Sequence, residues 1–366
     1  MLKRIFQTID KPLLVATLLL TVTGVMVLYA TTVKAVGVTT DVDARNQLFF
    51  AITGLAILIA VTAIDYRLWL RLTGLAYAAS IVLLIMVDVA GQSALGATRW
   101  LDLGFIQFQP SEMVKVVLIL VLAKLLSQNY DRLEQPKYLL QSILLTALPM
   151  ALVLVQPDLG TALVLLVIWF MMILVSPIPK GYVLALVVAG ILLVPVGLHF
   201  LQPYQRDRLT VFINPEADPL GRGFNVVQAS IAVGSGQMYG RGLASGSQSQ
   251  LNFLPSQHTD FIFAVLAEKL GFVGAFLVLA LFTLMVARMI TIAYQSRDRF
   301  GMFIGVGIAT MFLFHIMVNV GMNMGIMPVT GIPLPLISYG GTSLIIALAS
   351  IGLIQSIAVR HKKISF

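Results

Sequence analysis

Residues 261–287 read FIFAVLAEKLGFVGAFLVLALFTLMVA, an apolar run interrupted only by the adjacent charges Glu268 and Lys269. About 20 mostly apolar residues in a helix cross the hydrocarbon core of a bilayer, so this stretch reads as a transmembrane helix. Nine others read the same way: 12–31, 48–64, 72–89, 111–127, 138–155, 159–176, 182–200, 300–322 and 337–358. The pattern predicts an all-α polytopic membrane protein with about ten transmembrane helices, a single membrane domain over 1–366. Composition agrees: 58% of the 366 residues are hydrophobic, 11% are charged, and the mean hydropathy is +0.94. A soluble domain carries about a quarter charged residues, so a soluble enzyme is excluded.

The formal charge of +8 comes from 24 Lys and Arg set in short clusters between apolar runs. They form no extended basic face, and no nucleic-acid partner is expected. With the N-terminus in the cytoplasm, fifteen basic residues fall on that side: Lys3, Arg4, Lys11, Arg67, Arg71, Lys124, Arg132, Lys137, Lys180, Arg288, Arg297, Arg299, Arg360, Lys362 and Lys363. Seven fall on the other: Lys34, Arg45, Arg99, Arg206, Arg208, Arg222 and Arg241. Short cytoplasmic loops collect Lys and Arg, so both termini are expected in the cytoplasm. Met1–Arg4 and the apolar run from Pro12 to about Tyr29 resemble the first parts of a signal peptide. The run continues without a clear cleavage site and reads as a retained first helix. The absence of cysteine excludes disulfides and thiolate chemistry, and four scattered histidines do not suggest a histidine-rich metal site.

Two segments depart from the helical pattern. Residues 201–260, between the seventh and eighth helices, form a long extracytoplasmic loop containing Asn214-Pro215, Asp218-Pro219 and glycines 221, 223, 234, 236, 240, 242 and 246. Such glycine density favours turns and close backbone approach, while Phe224 to Val233 reads as a short helix at the membrane surface. Asn319 to Thr342 mixes Pro328, Pro333 and Pro335 with glycines 321, 325, 331, 340 and 341. Broken backbone is costly in hydrocarbon unless it faces protein, water or the interface, so a re-entrant or unwound segment is expected.

Asp260 ends Ser256-Gln257-His258-Thr259-Asp260 and stands at the mouth of the eighth helix. Partial desolvation there would raise its pKa toward the range of a general base; equally, Thr259 or Asp260 could cap the helix. Glu268 and Lys269 read more readily as a structural ion pair than as chemistry within the membrane. Glu112 and Lys115 stand at i,i+3 spacing, which permits another supporting pair. Asp158 occupies a turn, Gln156-Pro157-Asp158-Leu159-Gly160-Thr161, too short to leave the interface. Arg99, Arg206, Arg208, Arg222 and Arg241 could grip a diphosphate head group or ordinary phospholipid. Trp100 and Tyr204 resemble interfacial anchors, and His315 and Asn319 suit interhelical hydrogen bonds. These residues alone leave a glycosyltransferase, a lipid flippase and a scaffold all open.

Specific motifs go further. Gly96-Ala97-Thr98-Arg99-Trp100, Gln109-Pro110-Ser111-Glu112 and the Gln156–Thr161 turn occur in order. They are followed by Asn214-Pro215, Asp218-Pro219 with Gly221, Gln228-Ala229-Ser230-Ile231-Ala232, His258-Thr259-Asp260-Phe261, and Glu268 with Gly271-Phe272. Pro328-Val329-Thr330-Gly331-Ile332-Pro333-Leu334-Pro335 and Ser338-Tyr339-Gly340-Gly341-Thr342-Ser343 close the set. Together they resemble the SEDS family (shape, elongation, division and sporulation proteins), in its cell-elongation branch.

The resemblance implies a SEDS-type fold and a peptidoglycan glycosyltransferase polymerising lipid II on the outer face of the bacterial cytoplasmic membrane. The 4-hydroxyl of the acceptor's N-acetylglucosamine would attack the anomeric carbon of the donor's N-acetylmuramic acid, expelling undecaprenyl diphosphate. Asp260 would deprotonate that hydroxyl, and Arg99, Arg206, Arg208 and Arg222 would stabilise the departing diphosphate. The matched motifs add Gln109, Glu112, Lys115, Asp158, His258, Glu268 and Ser338 as substrate-binding candidates. The family's chemistry suggests a divalent cation, Mg2+ or Mn2+, for which the spacing defines no ligand set, and no organic cofactor. Implied partners are a class B penicillin-binding transpeptidase and other elongation-complex membrane proteins. The rival readings are a lipid II flippase and a non-catalytic scaffold of the elongation complex.

Overall fold

The computed structural model describes residues 8–32, 42–90, 92–94, 97–102, 107–200, 203–214, 218, 222–243, 246, 249, 254 and 256–361. Long helices dominate: α1 (Lys11–Thr32), α2 (Val42–Ala63), α3 (Arg67–Ala90), α4 (Pro110–Gln128), α5 (Pro136–Val155), α6 (Leu159–Val175) and α7 (Lys180–Phe200). Two shorter helices, α8 (Pro203–Ile213) and α9 (Arg222–Ser235), precede α10 (Ile262–Tyr294), α11 (Arg299–Asn323) and α12 (Gly341–His361). Each stretch expected to span the membrane lies mainly in one of the longer helices. Among the described residues, seven helices are long and apolar enough to cross a bilayer, and α6 and Lys180–Leu192 of α7 are shorter apolar helices. Lipid-type surface is plain on the outside, where Leu75 is 72% and Val89 85% exposed.

The expectation of a purely helical chain needs one correction. Between α3 and α4 lie three short antiparallel strands, β1 (Gln92–Ala94), β2 (Ala97–Asp102) and β3 (Gln107–Phe108), in the order β1-β2-β3. Phe108 pairs with Leu101 in the ladder. The connection is too polar to join either neighbouring helix, and aromatic and β-branched side chains such as Trp100 and Thr98 favour extended backbone. The matched residue Gly96 and the paired prolines Pro215 and Pro219, with Gly221, lie outside the described residues.

α11 is the central helix, packed by α10, α4 and α6, while α12 lies along α2. At one end, ion pairs join chain segments far apart in sequence: Arg288 with Asp10, Arg67 with Asp298, Arg299 with Asp131, and Arg360 with Asp65. The opposite end holds the irregular segments. There Met324–Gly340 is non-helical, as the prolines and glycines led one to expect, and α12 starts at Gly341 rather than at 337. Leu336 and Ile337 are apolar and buried, but belong to a turn that enters the bundle against α1. A Cβ on Gly24 would lie 2.6 Å from the carbonyl oxygen of Leu336 and 2.7 Å from Cα of Ile337, so this approach requires glycine.

α10 is interrupted at Gly271, whose φ of 68° and ψ of −169° are not helical. The loop after α9 supplies the partners for the backbone groups freed by that break. Arg241 and Gly242 donate to the carbonyls of Glu268 and Lys269 at 3.0 and 3.1 Å; Phe272 and Val273 donate to Gln237 and Met238 at 2.7 and 3.1 Å. Broken helix is tolerated at such a depth where other backbone satisfies it. Glu268 and Lys269, expected as an ion pair, each bond to this same loop. Glu268 Oε2 accepts from the amide of Ser249 at 3.1 Å, and Lys269 Nζ donates to the Leu243 carbonyl at 2.8 Å. Adjacent helical side chains point about 100° apart, which suits separate partners better than a mutual pair.

Candidate active site

Ser256–Asp260 form a turn just before α10. Ser256 has the left-handed φ of 54°, a conformation uncommon outside glycine, and its carbonyl accepts from the amides of Thr259 and Phe261 at 3.1 and 3.3 Å. Asp260 does not cap α10: the cap position falls on Phe261, and no side-chain cap bond is made there. Instead the amide of Ala264 is satisfied by Asn323 Oδ1 at 3.1 Å, across from α11. The Asp260 carboxylate is thereby left out of helix capping.

The backbone of this turn is held from three sides. Asn319 and Asn323, one helical turn apart on α11, both donate to the carbonyl of Asp260, at 3.1 and 3.0 Å. Asn319 also donates to the Ile332 carbonyl at 2.8 Å, tying the irregular segment to the same helix. Ser338 Oγ donates to the Thr259 carbonyl at 2.7 Å and accepts from the Leu334 amide at 2.8 Å. The Tyr339 amide donates to the His258 carbonyl at 2.8 Å, and His258 Nδ1 lies 3.1 Å from Thr31 Oγ1 on α1. His258 and Ser338 thus act on the shape of the turn. Asn319, expected to bond between helices, instead bonds to this turn and to the irregular segment; Asn323 was not singled out, although its i+4 spacing from Asn319 puts both on one face.

Asp260 lines an open cleft of about 150 Å³, together with Arg208, Val211 and Phe212 of α8, Asn225 and Val226 of α9, Ser256, Phe261 and Met327–Val329. Gly331 borders the carboxylate as well: a Cβ there would stand 3.7 Å from Asp260 Oδ2. Burial raises the Asp260 pKa above its ordinary value of 3.8, opposed by the positive charges of Arg208 and Arg99 and by the Thr259 hydroxyl; the negative charge of Asp158 adds to the rise. The protonated acid is therefore easier to form here than in water, as a proton acceptor requires.

The arginines are not equivalent. Arg208 enters the cleft and donates to the Thr330 carbonyl at 2.9 Å. Arg99 donates to the carbonyls of Gln156, at 3.2 Å, and Pro157, and lies 3.9 Å from Asp158 Oδ1, so it braces the turn between α5 and α6 while its charge reaches Asp260. Arg206 is exposed on α8 and is not a cleft residue. The side chains of Arg222 and Tyr204 lie outside the described residues. Asp158 caps α6, its two oxygens accepting from the Thr161 amide at 3.1 Å and hydroxyl at 2.9 Å.

Gln109, Glu112, Lys115 and Glu268 do not line the cleft. Gln109 is held through its amide, which donates to Thr342 Oγ1 at 3.3 Å. Glu112 and Lys115 form the expected pair at 2.7 Å, and Lys115 Nζ lies 3.2 Å from His315 Nε2, all three buried. His315 bonds in turn to the backbone of Pro333, so this polar group supports the irregular segment from below. Among the described residues no group of three or more His, Asp or Glu could hold a metal ion.

The family model for the cell cycle proteins FtsW, RodA and SpoVE matches residues 11–363. The chain belongs to the SEDS family. It is 39% identical over 313 residues to peptidoglycan glycosyltransferase MrdB of Escherichia coli K12, covering 85% of this chain and 84% of that protein. It is 35% identical to peptidoglycan glycosyltransferase RodA of Treponema pallidum, covering 96% of this chain and 98% of that one. Among solved structures it superposes on a chain described under "Structural coordination of polymerization and crosslinking by a peptidoglycan synthase complex", with TM-score 0.81, 34% identity, and 97% and 99% of the two chains covered. For RodA of Thermus thermophilus the TM-score is 0.71 at 30% identity, covering 97% and 98%. This SEDS protein is a peptidoglycan glycosyltransferase and a multi-pass protein of the bacterial inner membrane.

Proposed function

We infer that this SEDS protein polymerises lipid II with Asp260 as the general base. The observation that carries this reading is a carboxylate not engaged in capping, facing a cleft beside Arg208, with its acid form favoured by burial. The acceptor's 4-hydroxyl oxygen attacks the anomeric carbon of the donor's N-acetylmuramic acid while its proton passes to Asp260. The bond from that carbon to the diphosphate oxygen breaks, and undecaprenyl diphosphate leaves with the electron pair. Arg208 is the cleft's fixed positive charge and offsets the charge building on the leaving group, a role that is strong where water is scarce. Arg99 acts through the turn that it braces and through its field at Asp260.

In this reading the chain is one membrane domain that crosses the bilayer ten times with both termini in the cytoplasm. The loop 201–260 and Asp260 then lie on the outer face. The asymmetry of basic residues supports that orientation, and the ion-paired end of the bundle becomes cytoplasmic. A class B penicillin-binding transpeptidase is the proposed partner, in keeping with the polymerising and crosslinking complex to which one similar chain belongs. A divalent cation carried in by the substrate diphosphate is the proposed cofactor.

The test separates polymerase from flippase. The purified chain, alone and with its transpeptidase, is placed in vesicles containing lipid II. Glycan strands and free undecaprenyl diphosphate are expected; lipid II that crosses the bilayer with no polymer under either condition would overturn the polymerase reading.

A further inference from the structure

Asn225 lies on α9 and lines the cleft with Asp260, Arg208 and Ser256. It is half-buried, and its side-chain amide makes no hydrogen bond to any described residue. The flanking walls are apolar: Val211, Phe212, Val226, Met327 and Val329. The amide faces the open cleft, where water solvates it until a ligand takes the water's place. A ligand that enters the cleft can supply the missing partner.

The chemistry of the amide limits what that ligand presents. An Asn side chain both donates and accepts, whereas a carboxylate only accepts and a guanidinium only donates. It therefore matches a neutral group with N–H and C=O side by side, and adjoining apolar walls suit a methyl substituent. A sugar's acetamido group has all three. If Asp260 takes the proton of the acceptor hydroxyl, the sugar within reach of Asn225 is the acceptor.

We propose that Asn225 is a specificity-determining residue that hydrogen-bonds the 2-acetamido group of the acceptor N-acetylglucosamine. The assignment rests on the polymerase reading above. It gives α9 a role in sugar selection, separate from the proton transfer at Asp260 and the charge stabilisation at Arg208.

The test compares lipid II with an analogue that carries glucose in place of N-acetylglucosamine, using the full-length chain with its transpeptidase. Wild type is expected to prefer native lipid II by roughly tenfold in kcat/KM, the order of one lost hydrogen-bonded pair. Asn225→Ala is expected to lower kcat/KM for native lipid II by about tenfold, chiefly through KM, and to abolish the preference between the two substrates. Asn225→Leu, similar in size and without the amide, serves the same purpose if the alanine variant does not fold. A structural role would lower both substrates alike and leave the preference intact; that outcome, or a wild type that does not discriminate, overturns the proposal. Asp260→Asn is run alongside. If it still polymerises, the base assignment fails; if it is inactive while Asn225→Ala keeps its preference, only the role of Asn225 fails.

Discussion

The side-chain amide of Asn323 donates to the backbone carbonyl of Asp260 at 3.0 Å while its oxygen accepts from the amide of Ala264 at 3.1 Å. One side chain on α11 therefore fixes both the residue that bears the carboxylate and the first turn of the helix behind it. Asn323→Ala removes both bonds and leaves the Asp260 carbonyl to Asn319 alone. Displacement of a reacting group by about an ångström can cost on the order of a hundredfold in rate. A fall in kcat of roughly ten- to a hundredfold is expected with KM little changed, measured by lipid II polymerisation. Unchanged kcat in a folded variant would contradict this positioning role.

The pH dependence follows from the raised pKa of Asp260. Burial favours the neutral acid, so the active carboxylate is lost, as pH falls, above the ordinary value of 3.8. The acid limb of the kcat/KM profile is expected above that value. Arg208→Ala removes positive charge that lowers the pKa, so its limb should move to higher pH. The stability effect has the opposite sign to that of an ion-paired carboxylate: a raised folded-state pKa means stability falls as pH rises through the window from 3.8 upward. Asp260→Asn is accordingly expected to melt at or above the wild-type temperature at neutral pH.

Arg208 should be hard to replace. Its guanidinium both donates to the Thr330 carbonyl and lines the cleft. Arg208→Ala is expected to lower kcat by about a hundredfold, the usual scale for losing one preorganised donor to a developing anion. Arg208→Lys keeps the charge but not the forked geometry, and should recover only part of the loss. Full activity in Arg208→Ala would remove this residue from the proposed chemistry.

The far end of the bundle offers a stability test independent of activity. Asp298 accepts from the Tyr66 hydroxyl at 2.6 Å, Arg67 Nε at 2.9 Å and the Gly301 amide at 2.8 Å. Burial alone would raise its pKa, but these three donors outweigh burial and lower it below 3.8, while burial and Asp298 push Tyr66 up to about 12. The stabilisation from Asp298 is present above its unfolded-state pKa and lost as pH falls through the lowered folded-state value. Tyr66→Phe is expected to cost about 1.5–3 kcal/mol, the range for a hydrogen bond to a charged group, and thermal melting in detergent would show it.

The spanning helices were legible in the sequence because hydrocarbon demands long, internally hydrogen-bonded apolar runs. Hydropathy could not place the start of α12. Leu336 and Ile337 are as apolar as the helix they precede, but the surrounding prolines and Gly340-Gly341 keep them in a turn packed on Gly24. Asp260 stood out as a carboxylate at a helix mouth. Asn323, Asn225 and Thr330 did not, since an amide or hydroxyl in an apolar run carries no signal until the fold shows what it faces. Arg99 and Arg208 looked alike in sequence; only the structure separates a brace on the α5–α6 turn from a residue in the cleft.

The central claim is that Asp260 takes the acceptor's proton, and the most direct measurement is lipid II polymerisation by wild type and Asp260→Asn, each purified with its transpeptidase. The substitution keeps size and removes the proton acceptor. Folded Asp260→Asn that forms no glycan strands, while still binding lipid II and the partner, is the expected result. Strands formed at the wild-type rate would contradict it.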